Sequence, residues 1–284
     1  MIFFFITNSA ELASFAVSNG ADRIFVDLEI LGKDQRQGHL NTLISRHTLA
    51  DVVALRPLVP AGSLHVRVNP VHEGTAEEIE RVVEAGADVI MLPMFHGPAE
   101  VTVFVNAVAG RAKTSLLVET VGAMQSLERC IAVPGVDEVH IGLNDLHLEL
   151  GNRFMFEPLA AGLVDRMAGI LKAAGMPFGI GGLARVGEGL LPAELILSEH
   201  ARLGSTAAIL SRTFHRQAVN VAAIISQMDF GAEILKLRAA HARHVRATAG
   251  TLEDNRLTVQ EIVRKIAADL ASRASSRVPD RVNA

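Results

Sequence analysis

Short apolar runs recur along the chain, and most of them follow a turn that contains glycine. The runs lie at about 2–6, 23–28, 64–69, 88–92, 115–119, 137–142, 178–182 and 206–211. They are apolar throughout and do not alternate with polar residues, which is typical of parallel strands with helices packed over them. The pattern therefore predicts buried parallel strands at these positions.

The segments between the strands have the spacing of amphipathic helices, most clearly at 77–84 and 158–174. The turns from helix to strand repeat one pattern, as in Asn19-Gly20-Ala21-Asp22. Glycine there accepts the left-handed conformation that ends a helix. This alternation predicts an α/β fold, a closed (β/α)8 TIM barrel. A doubly wound open sheet is the alternative, but no Gly-x-Gly-x-x-Gly turn follows the first strand.

The chain continues well beyond the predicted barrel of residues 1–215. Residues 216–271 are predicted to form a helical extension, in which Thr258 and Glu261 have the spacing of a capping box. Apolar residues then recur at helical spacing, at Val259, Ile262, Val263, Ile266 and Leu270. Such a stripe must be buried on the chain's own barrel or on another subunit. We favour the second, which predicts a homo-oligomer formed through C-terminal helices. Residues 272–284, rich in Ser, Arg and Pro, are predicted to be a disordered tail.

Composition narrows the class of protein. The 284 residues are 49% hydrophobic and carry a formal net charge of -4 without a basic stripe, so we expect no nucleic-acid partner. The single cysteine, Cys130, cannot form an internal disulfide, which favours a reducing compartment. The apolar run 2–6 is too short to cross a membrane. We therefore expect a cytoplasmic protein that does not bind membranes.

Polar residues collect where the predicted strands end. The active site of a (β/α)8 barrel lies at the carboxyl ends of its strands. Those ends carry Asp27-Leu28-Glu29, Arg67 with Asn69, Glu119, and Asn144-Asp145. This distribution predicts a functional site at that end of the barrel.

Glu119 and Asp145 follow neighbouring strands, which lie about 4.8 Å apart in a sheet. Buried carboxylates are costly unless they are paired or bound to metal. Two oxygen ligands with other positions left open would suit Mg²⁺ or Mn²⁺. The alternative is that Glu119 caps the helix beginning near Gly122 and that Asp145 is a turn residue.

Arg67 closes an apolar strand, and its guanidinium is suited to paired hydrogen bonds with a carboxylate or an enolate oxygen. It can equally form a structural ion pair with Asp27 or Glu29, and the two roles are compatible. Lys33, Arg36 and His39 lie in the loop after the second strand. No lysine closes a strand, so a Schiff-base mechanism has no obvious residue.

Taken together, Asp27-Leu28-Glu29, Val66-Arg67-Val68-Asn69, Leu117-Val118-Glu119-Thr120 and Gly142-Leu143-Asn144-Asp145-Leu146 resemble the HpcH/HpaI aldolase and citrate lyase beta-subunit superfamily, over about residues 1–215. The resemblance implies a barrel of the phosphoenolpyruvate/pyruvate-binding type. It implies that Glu119 and Asp145 bind Mg²⁺ or a similar divalent metal. It also implies that Arg67 holds the substrate's keto-acid or acyl oxygens.

The second strand departs from both branches of that superfamily. The aldolases carry a histidine shortly after the acidic pair, whereas here Ile30 follows Glu29 and the nearest histidine is His39. The citrate-lyase-like branch has a further aspartate, followed by a lysine and an arginine. Lys33 and Arg36 resemble the latter pair, but the aspartate is missing. The identity of the general base is therefore open.

The predicted function is a class II, metal-dependent aldolase that acts through a pyruvate-type enolate on a 2-keto acid or hydroxy acid. Arg67, Asp27 and Glu29 are the predicted catalytic residues. Arg67 is also predicted to bind substrate, together with backbone amides of Gly142, Leu143 and Asn144, or of the Gly181-Gly182 turn. The predicted partner is a small-molecule keto acid.

Three other functions are open. The chain can be a citrate-lyase-like lyase of acyl-CoA or acyl-carrier substrates, or a catalytically silent barrel that serves as a binding subunit. It can also be a phosphate-binding barrel such as an isomerase. The eighth strand disfavours the last, because it ends in Ser211-Arg212 without a glycine-rich phosphate loop.

Overall fold

A computed structural model of the chain describes residues 1–32, 46–215 and 218–275. Its strands are all parallel, pair in chain order and close into one barrel. Their bounds are β1 Ile2–Ile6, β2 Arg23–Asp27, β3 Leu64–Arg67, β4 Val89–Leu92, β5 Lys113–Val118, β6 Glu138–Ile141, β7 Phe178–Leu183 and β8 Ala207–Leu210. The predicted (β/α)8 barrel is confirmed, and each strand lies within two residues of its predicted limits.

Helices cover the outside of this barrel. Those between the strands are α1 Ala10–Ser18, α2 Leu49–Leu55, α3 Thr75–Glu84, α4 Pro98–Val108, α5 Val121–Gln125, α6 Leu127–Ile131, α7 Leu143–Glu149, α8 Glu157–Ala160, α9 Leu163–Ala173 and α10 Ala193–Leu203. After β8 come α11 Val221–Ile225, α12 Phe230–Val245 and α13 Ala249–Ser275, and short 3₁₀ helices span Arg56–Leu58 and Arg212–Phe214. None of the described helices has the length and apolar character needed to span a membrane.

The apolar periodicity predicts one of the two clearest helices better than the other. In α3, Ile79 and Val82 are buried on the barrel, as the spacing at 77–84 indicates. The segment predicted as one helix at 158–174 forms α8 and α9 instead. Gly162 separates them with a φ of 76°, a left-handed conformation that interrupts an α-helix.

An ion pair crosses the interior at the amino-terminal end of the barrel. Arg23, the first residue of β2, donates to both carboxylate oxygens of Glu138, the first residue of β6, at 2.6 and 2.9 Å. The Arg23 guanidinium also lies 5.1 Å from the centre of the Phe4 ring. Because these groups neutralise one another, this end of the barrel is closed and charge-balanced.

The C-terminal extension packs on its own barrel. Val259 and Val263 of α13 are each 1% exposed within the single chain, and Gln260 donates to the Ala160 carbonyl of α8 at 3.1 Å. These two residues of the predicted stripe therefore pack within the chain, whereas Ile262, Ile266 and Leu270 are only partly buried. The homo-oligomer formed through C-terminal helices stays a prediction.

The capping box predicted at Thr258 is wrong. Helix α13 begins at Ala249, and Thr258 lies inside it, where its hydroxyl donates to the Asp254 carbonyl at 2.9 Å. The sequence pattern matched because Ser and Thr can make local backbone bonds within helices as well as at their starts. The helix runs through Ser275, and the rest of the predicted tail lies outside the described residues.

Helix α12 is hydrogen-bonded to residues near the start of the chain. Arg238 donates to the Met1 carbonyl at 2.9 Å and to the Asp22 carboxylate at 2.8 Å. Asp22 in turn accepts from the Phe3 amide at 2.7 Å. The extension is thus bonded to β1 and to the residue before β2.

We expect Val263→Ala to lower the free energy of unfolding by about 1–3 kcal/mol, because it leaves a cavity in the layer between α13 and the barrel. Leu257→Ala on the same helix is the control. Leu257 is 51% exposed, so its truncation should change stability by less than about 0.5 kcal/mol. Chemical denaturation at several protein concentrations measures both variants. A loss for Val263→Ala that grows on dilution would contradict packing within one chain.

Candidate active site

A cavity of about 530 Å³ opens at the carboxyl ends of the strands, within the size range of small-molecule sites. It is lined by Ile6, Asp27, His47, Arg67, Leu117, Glu119, His140, Gly142, Leu143, Asn144, Asp145, Met155, Gly181, Gly182, Ile209, Leu210, Ser211, Arg212 and His215. Of the predicted site residues, all but Glu29 line it. The structure therefore brings the strand-end residues of β2, β3, β5 and β6 to one cavity.

Arg67 is held by the acidic residues of the neighbouring strand. Asp27 and Arg67 are direct partners in the β2–β3 register. The Nε and Nη2 atoms of Arg67 each donate to one oxygen of Asp27 at 2.8 Å, and Nη2 lies 3.3 Å from Glu29. Burial opposes the charge of the guanidinium, but Asp27 and Glu29 outweigh it and raise the pKa of Arg67. Arg67 is therefore a fixed, permanently charged group at the cavity wall.

Glu119 and Asp145 are the two other carboxylates of the cavity. Glu119 follows β5 and is 3% exposed, and Asp145 is 9% exposed. One oxygen of Glu119 accepts from the Met94 amide at 3.2 Å. Burial, and after it the negative charge of Asp145, hold the pKa of Glu119 well above its ordinary value. The two groups are thus close enough to repel each other, and Arg67 offsets this only in part.

The approach of Glu119 to the start of α7 requires a glycine. A Cβ atom at Gly142 would lie 2.8 Å from the Cβ of Glu119 and 3.1 Å from its Oε2. Gly142 also donates its amide to the Val118 carbonyl of β5 at 2.9 Å. Gly142 therefore lets the end of β6 pack directly against the carboxylate that follows β5.

The alternative roles of Glu119 as a helix cap and of Asp145 as a turn residue are both wrong. Thr120 caps α5, since its hydroxyl accepts from the Ala123 amide at 3.0 Å, so Glu119 is not used for that purpose. Asp145 lies in the first turn of helix α7 and not in a turn after β6. Both residues line the cavity.

The donor set fits a hard divalent cation that keeps open positions. Within residues 1–32, 46–215 and 218–275, no group of three or more His, Cys, Asp or Glu side chains forms a complete metal site. Two carboxylates with their neighbouring positions open to the cavity are the kind of oxygen site that Mg²⁺ and Mn²⁺ use together with water or substrate. Burial and the charge of Asp145 both disfavour the charged form of Glu119, and a bound cation would favour it.

Glu29 has a different position from the other acidic residues. It is 2% exposed and contacts Arg67, but it is not part of the cavity wall. The contact that Glu29 makes is that of an ion-pair partner of Arg67. Lys33, Arg36 and His39, which follow it in sequence, lie outside the described residues.

Three histidines line the cavity, His47, His140 and His215, and the sequence identified none of them as a site residue. His47 accepts the Asp27 amide hydrogen on Nδ1 at 3.0 Å, although it lies 20 residues further along the chain. His140 of β6 donates from Nε2 to the Gly181 carbonyl at 3.1 Å. His140 is both buried and part of the cavity wall. No local motif marks either residue, because the barrel brings each to the site through distant pairing.

The fold and this cavity define a (β/α)8 barrel with a polar site at the end where such barrels bind ligands. The model of the HpcH/HpaI aldolase/citrate lyase family matches residues 1–157. That match covers more than half of the chain, and the chain belongs to this family. It includes β1 to β6 and therefore all of the predicted site residues. The family resemblance predicted from the strand-end motifs is confirmed.

Solved structures agree on the fold. An HpcH/HpaI aldolase from Desulfitobacterium hafniense DCB-2 is 14% identical, with a TM-score of 0.58 over 80% of this chain and 93% of that one. The CitE protein from Mycobacterium tuberculosis, in complex with magnesium and pyruvate, is 15% identical, with a TM-score of 0.60 over 91% and 97%. RipC from Yersinia pestis is 17% identical, with a TM-score of 0.51 over 89% and 98%. A sequence comparison with curated proteins gives no match.

We expect His140 to make the protein less stable in weak acid. Burial lowers the pKa of His140 to about 4, whereas an unfolded histidine titrates near about 6.5. Between these two values the unfolded state binds a proton that the native state does not, so stability falls as the pH falls from 6.5 towards 4. His140→Gln should show a shallower fall over that interval in chemical denaturation. The same slope in both proteins, or an NMR titration midpoint for His140 near 6.5, would contradict this assignment.

Proposed function

We propose that this chain is a divalent-metal-dependent carbon–carbon lyase, a class II aldolase, acting on a 2-keto acid or hydroxy acid through a pyruvate-type enolate. The observation that carries the proposal is the meeting of Glu119, Asp145 and Arg67 in one cavity of a barrel of this family. An acidic pair and a fixed cation together suit a substrate whose oxygens become negatively charged.

Glu119 and Asp145 are the proposed metal ligands. Their burial and mutual repulsion would be relieved by a bound cation, and carboxylate oxygens favour Mg²⁺ or Mn²⁺. The magnesium complexes of CitE with pyruvate, acetate and acetoacetate support this choice, since they pair that ion with small oxygen-rich ligands on the same fold. The chemistry that such an ion supplies is Lewis-acid stabilisation of the negative charge developing on the substrate's oxygens.

Arg67 is proposed to bind the same oxygens. Its bonds to Asp27 occupy Nε and Nη2 and fix the plane of the guanidinium. Among the described residues, Nη1 has no hydrogen-bond partner, which leaves that donor for a ligand in the cavity. A positive group held in place before the reaction loses no free energy to reorganisation when charge develops on the substrate.

Asp27 and Glu29 are proposed to position Arg67. Both oxygens of Asp27 accept from the guanidinium, and Glu29 adds a second negative charge beside Nη2. The catalytic role predicted for these two residues stays a prediction. Gly142, Leu143 and Asn144 line the cavity beside Asp145, and we propose that their backbone amides bind the substrate's carboxylate.

Asp145→Asn tests the metal site. The change keeps the size of the side chain and removes its charge, so we expect the affinity for Mn²⁺ to fall by about tenfold or more. Exchange of pyruvate methyl protons with deuterated water should be lost with it. Calorimetry and proton NMR measure the two effects. Asp165→Asn, on α9 and paired with Arg202, is the matched control that should leave both unchanged. Wild-type Mn²⁺ affinity in Asp145→Asn would exclude Asp145 as a ligand. Full exchange of pyruvate methyl protons in the presence of a chelator would contradict a metal-dependent lyase.

Arg67→Lys tests the role of the guanidinium. Lysine keeps the positive charge but cannot make the two parallel bonds to Asp27, so the cation is no longer held in place. We expect kcat/KM for retro-aldol cleavage to fall by about a hundredfold, with the barrel still folded. Steady-state kinetics and circular dichroism measure this. A near-wild-type kcat/KM would leave Arg67 with a structural role only.

A further inference from the structure

The floor of the cavity is apolar. A cluster of buried side chains fills the middle of the barrel and consists of Phe4, Phe25, Met91, Leu117 and Ala207. Ile6 and Ile209 pack on this cluster but are themselves only partly buried. Both line the cavity, as does Leu117. Apolar side chains inside the barrel thus keep surface that faces the cavity and that a ligand can cover.

Strand β7 contains a bulge at the cavity. Its register with β8 shifts between Gly179 and Gly182, and Gly181 has a φ of 49°, which favours glycine. Successive residues of a regular strand point to opposite faces, and a bulge interrupts this alternation. Gly181 and Gly182 accordingly both line the cavity. The bulge places two residues without side chains next to each other in the wall.

The space in front of Gly182 is open. Among the described residues, and apart from its neighbours in the chain, a Cβ atom at Gly182 would meet only the Ile209 carbonyl oxygen, at 3.7 Å. Gly182 does not have a positive φ, so its backbone can accept a side chain. A Cβ atom at Gly179, by contrast, would lie 2.4 Å from Nδ1 of His140. Packing requires glycine at position 179, whereas at position 182 glycine leaves room in the cavity.

The apolar surface is continuous with the proposed metal site. A Cβ atom at Gly142 would lie 3.1 Å from Oε2 of Glu119 and 3.1 Å from Cδ1 of Leu117. The carboxylate and the apolar floor therefore meet at this glycine. Leu143, the next residue, extends towards the bulge, since its Cδ1 lies 3.1 Å from the position of a Cβ atom at Gly181. A ligand bound at Glu119 can thus continue along apolar side chains to β7.

We propose that the apolar part of the cavity binds an aliphatic chain of the substrate and that the open space at Gly182 accommodates this chain. The side chains that would contact it are Ile6, Leu117, Leu143, Ile209 and Leu210. This inference rests on the proposed function and names its substrate class, a 4-hydroxy-2-keto acid whose fourth carbon carries an alkyl group. The keto-acid end would lie at the charged residues and the alkyl group at Gly182.

Cleavage of such a substrate breaks the bond between its third and fourth carbons. The hydroxyl group on the fourth carbon loses its proton and becomes the carbonyl of an aliphatic aldehyde. The electron pair of the broken bond stays with the third carbon as an enolate, which takes up a proton to give pyruvate. The aldehyde product would then keep its alkyl group on the apolar side chains, where burial favours it.

Binding of 2-keto acids of two chain lengths tests the inference without turnover. The full chain with Mn²⁺ is titrated with 2-oxobutanoate and with 2-oxooctanoate and followed by calorimetry. Each methylene group removed from water favours binding, so we expect the longer acid to bind at least about tenfold more tightly. Equal affinities, or the absence of saturable binding by either acid, would overturn the inference.

Gly182→Leu tests the position of the chain. Its side chain would fill the open space, so we expect the ratio of the two affinities to fall to about one. Gly169→Leu is the matched control, because Gly169 is exposed on α9 and a Cβ atom there meets no described atom within 4 Å. Circular dichroism checks the fold of each variant. Gly182→Ala, a smaller change, should lower the ratio by about threefold. A wild-type ratio in the folded Gly182 variants would overturn the inference.

A second carboxylate on the ligand tests the aliphatic character of the chain. Arg212 also lines the cavity, and the competing arrangement pairs a terminal carboxylate with it. We expect 2-oxooctanedioate to bind at least about tenfold more weakly than 2-oxooctanoate, because its terminal charge would have to leave water beside apolar side chains. Equal or tighter binding of the diacid would overturn the choice of an aliphatic chain.

The same proteins separate this inference from the metal-dependent lyase. Metal-dependent exchange of pyruvate methyl protons without a preference for the longer acid would contradict the aliphatic site alone. A preference that Gly182→Leu abolishes, in a protein without metal-dependent exchange, would support the aliphatic site and contradict the lyase.

Discussion

Buried negative charge requires positive charge close by, and this requirement organises the carboxyl end of the barrel. Asp27, Glu29 and Glu119 all act on Arg67, and Asp27 meets it in a two-point contact at 2.8 Å. Asp27 and Glu29 obtain their compensation from that guanidinium. Burial and the charge of Asp145 raise the pKa of Glu119, while Arg67 lowers it. A bound cation would offset the repulsion between the two carboxylates, which is the physical basis of the proposed metal site.

The two ends of the barrel differ in how their buried charged groups are paired. At the amino-terminal end, Arg23 and Glu138 are joined by two hydrogen bonds across the interior and need nothing further. At the carboxyl end, Asp27 is paired with Arg67, while burial and the charge of Asp145 hold the pKa of Glu119 above its ordinary value. Both ends contain buried charge, and the carboxyl end also opens into a cavity of the size of a small-molecule site.

Much of the fold and several of the site residues could be predicted from the sequence, because the patterns that indicate them are local. Continuous apolar runs mark strands buried on both sides, and residues that end neighbouring parallel strands must meet at one edge. Arg67, Glu119 and Asp145 were found in that way. His47 and His140 were missed since their places depend on pairing between distant segments. The α13 stripe was recognised, but an apolar face does not say which surface covers it.

The bonds made by Arg238 have a consequence for what counts as a domain in this protein. The sequence suggests a barrel that is complete at its eighth strand, with an appendage after it. In the folded chain, Arg238 of α12 reaches back to the Met1 carbonyl and to Asp22, and its guanidinium lies 5.0 Å from the centre of the Phe3 ring. Arg238 thereby binds the residues that directly precede β1 and β2. A definition of the barrel that stops at β8 leaves out these bonds to the start of its first two strands.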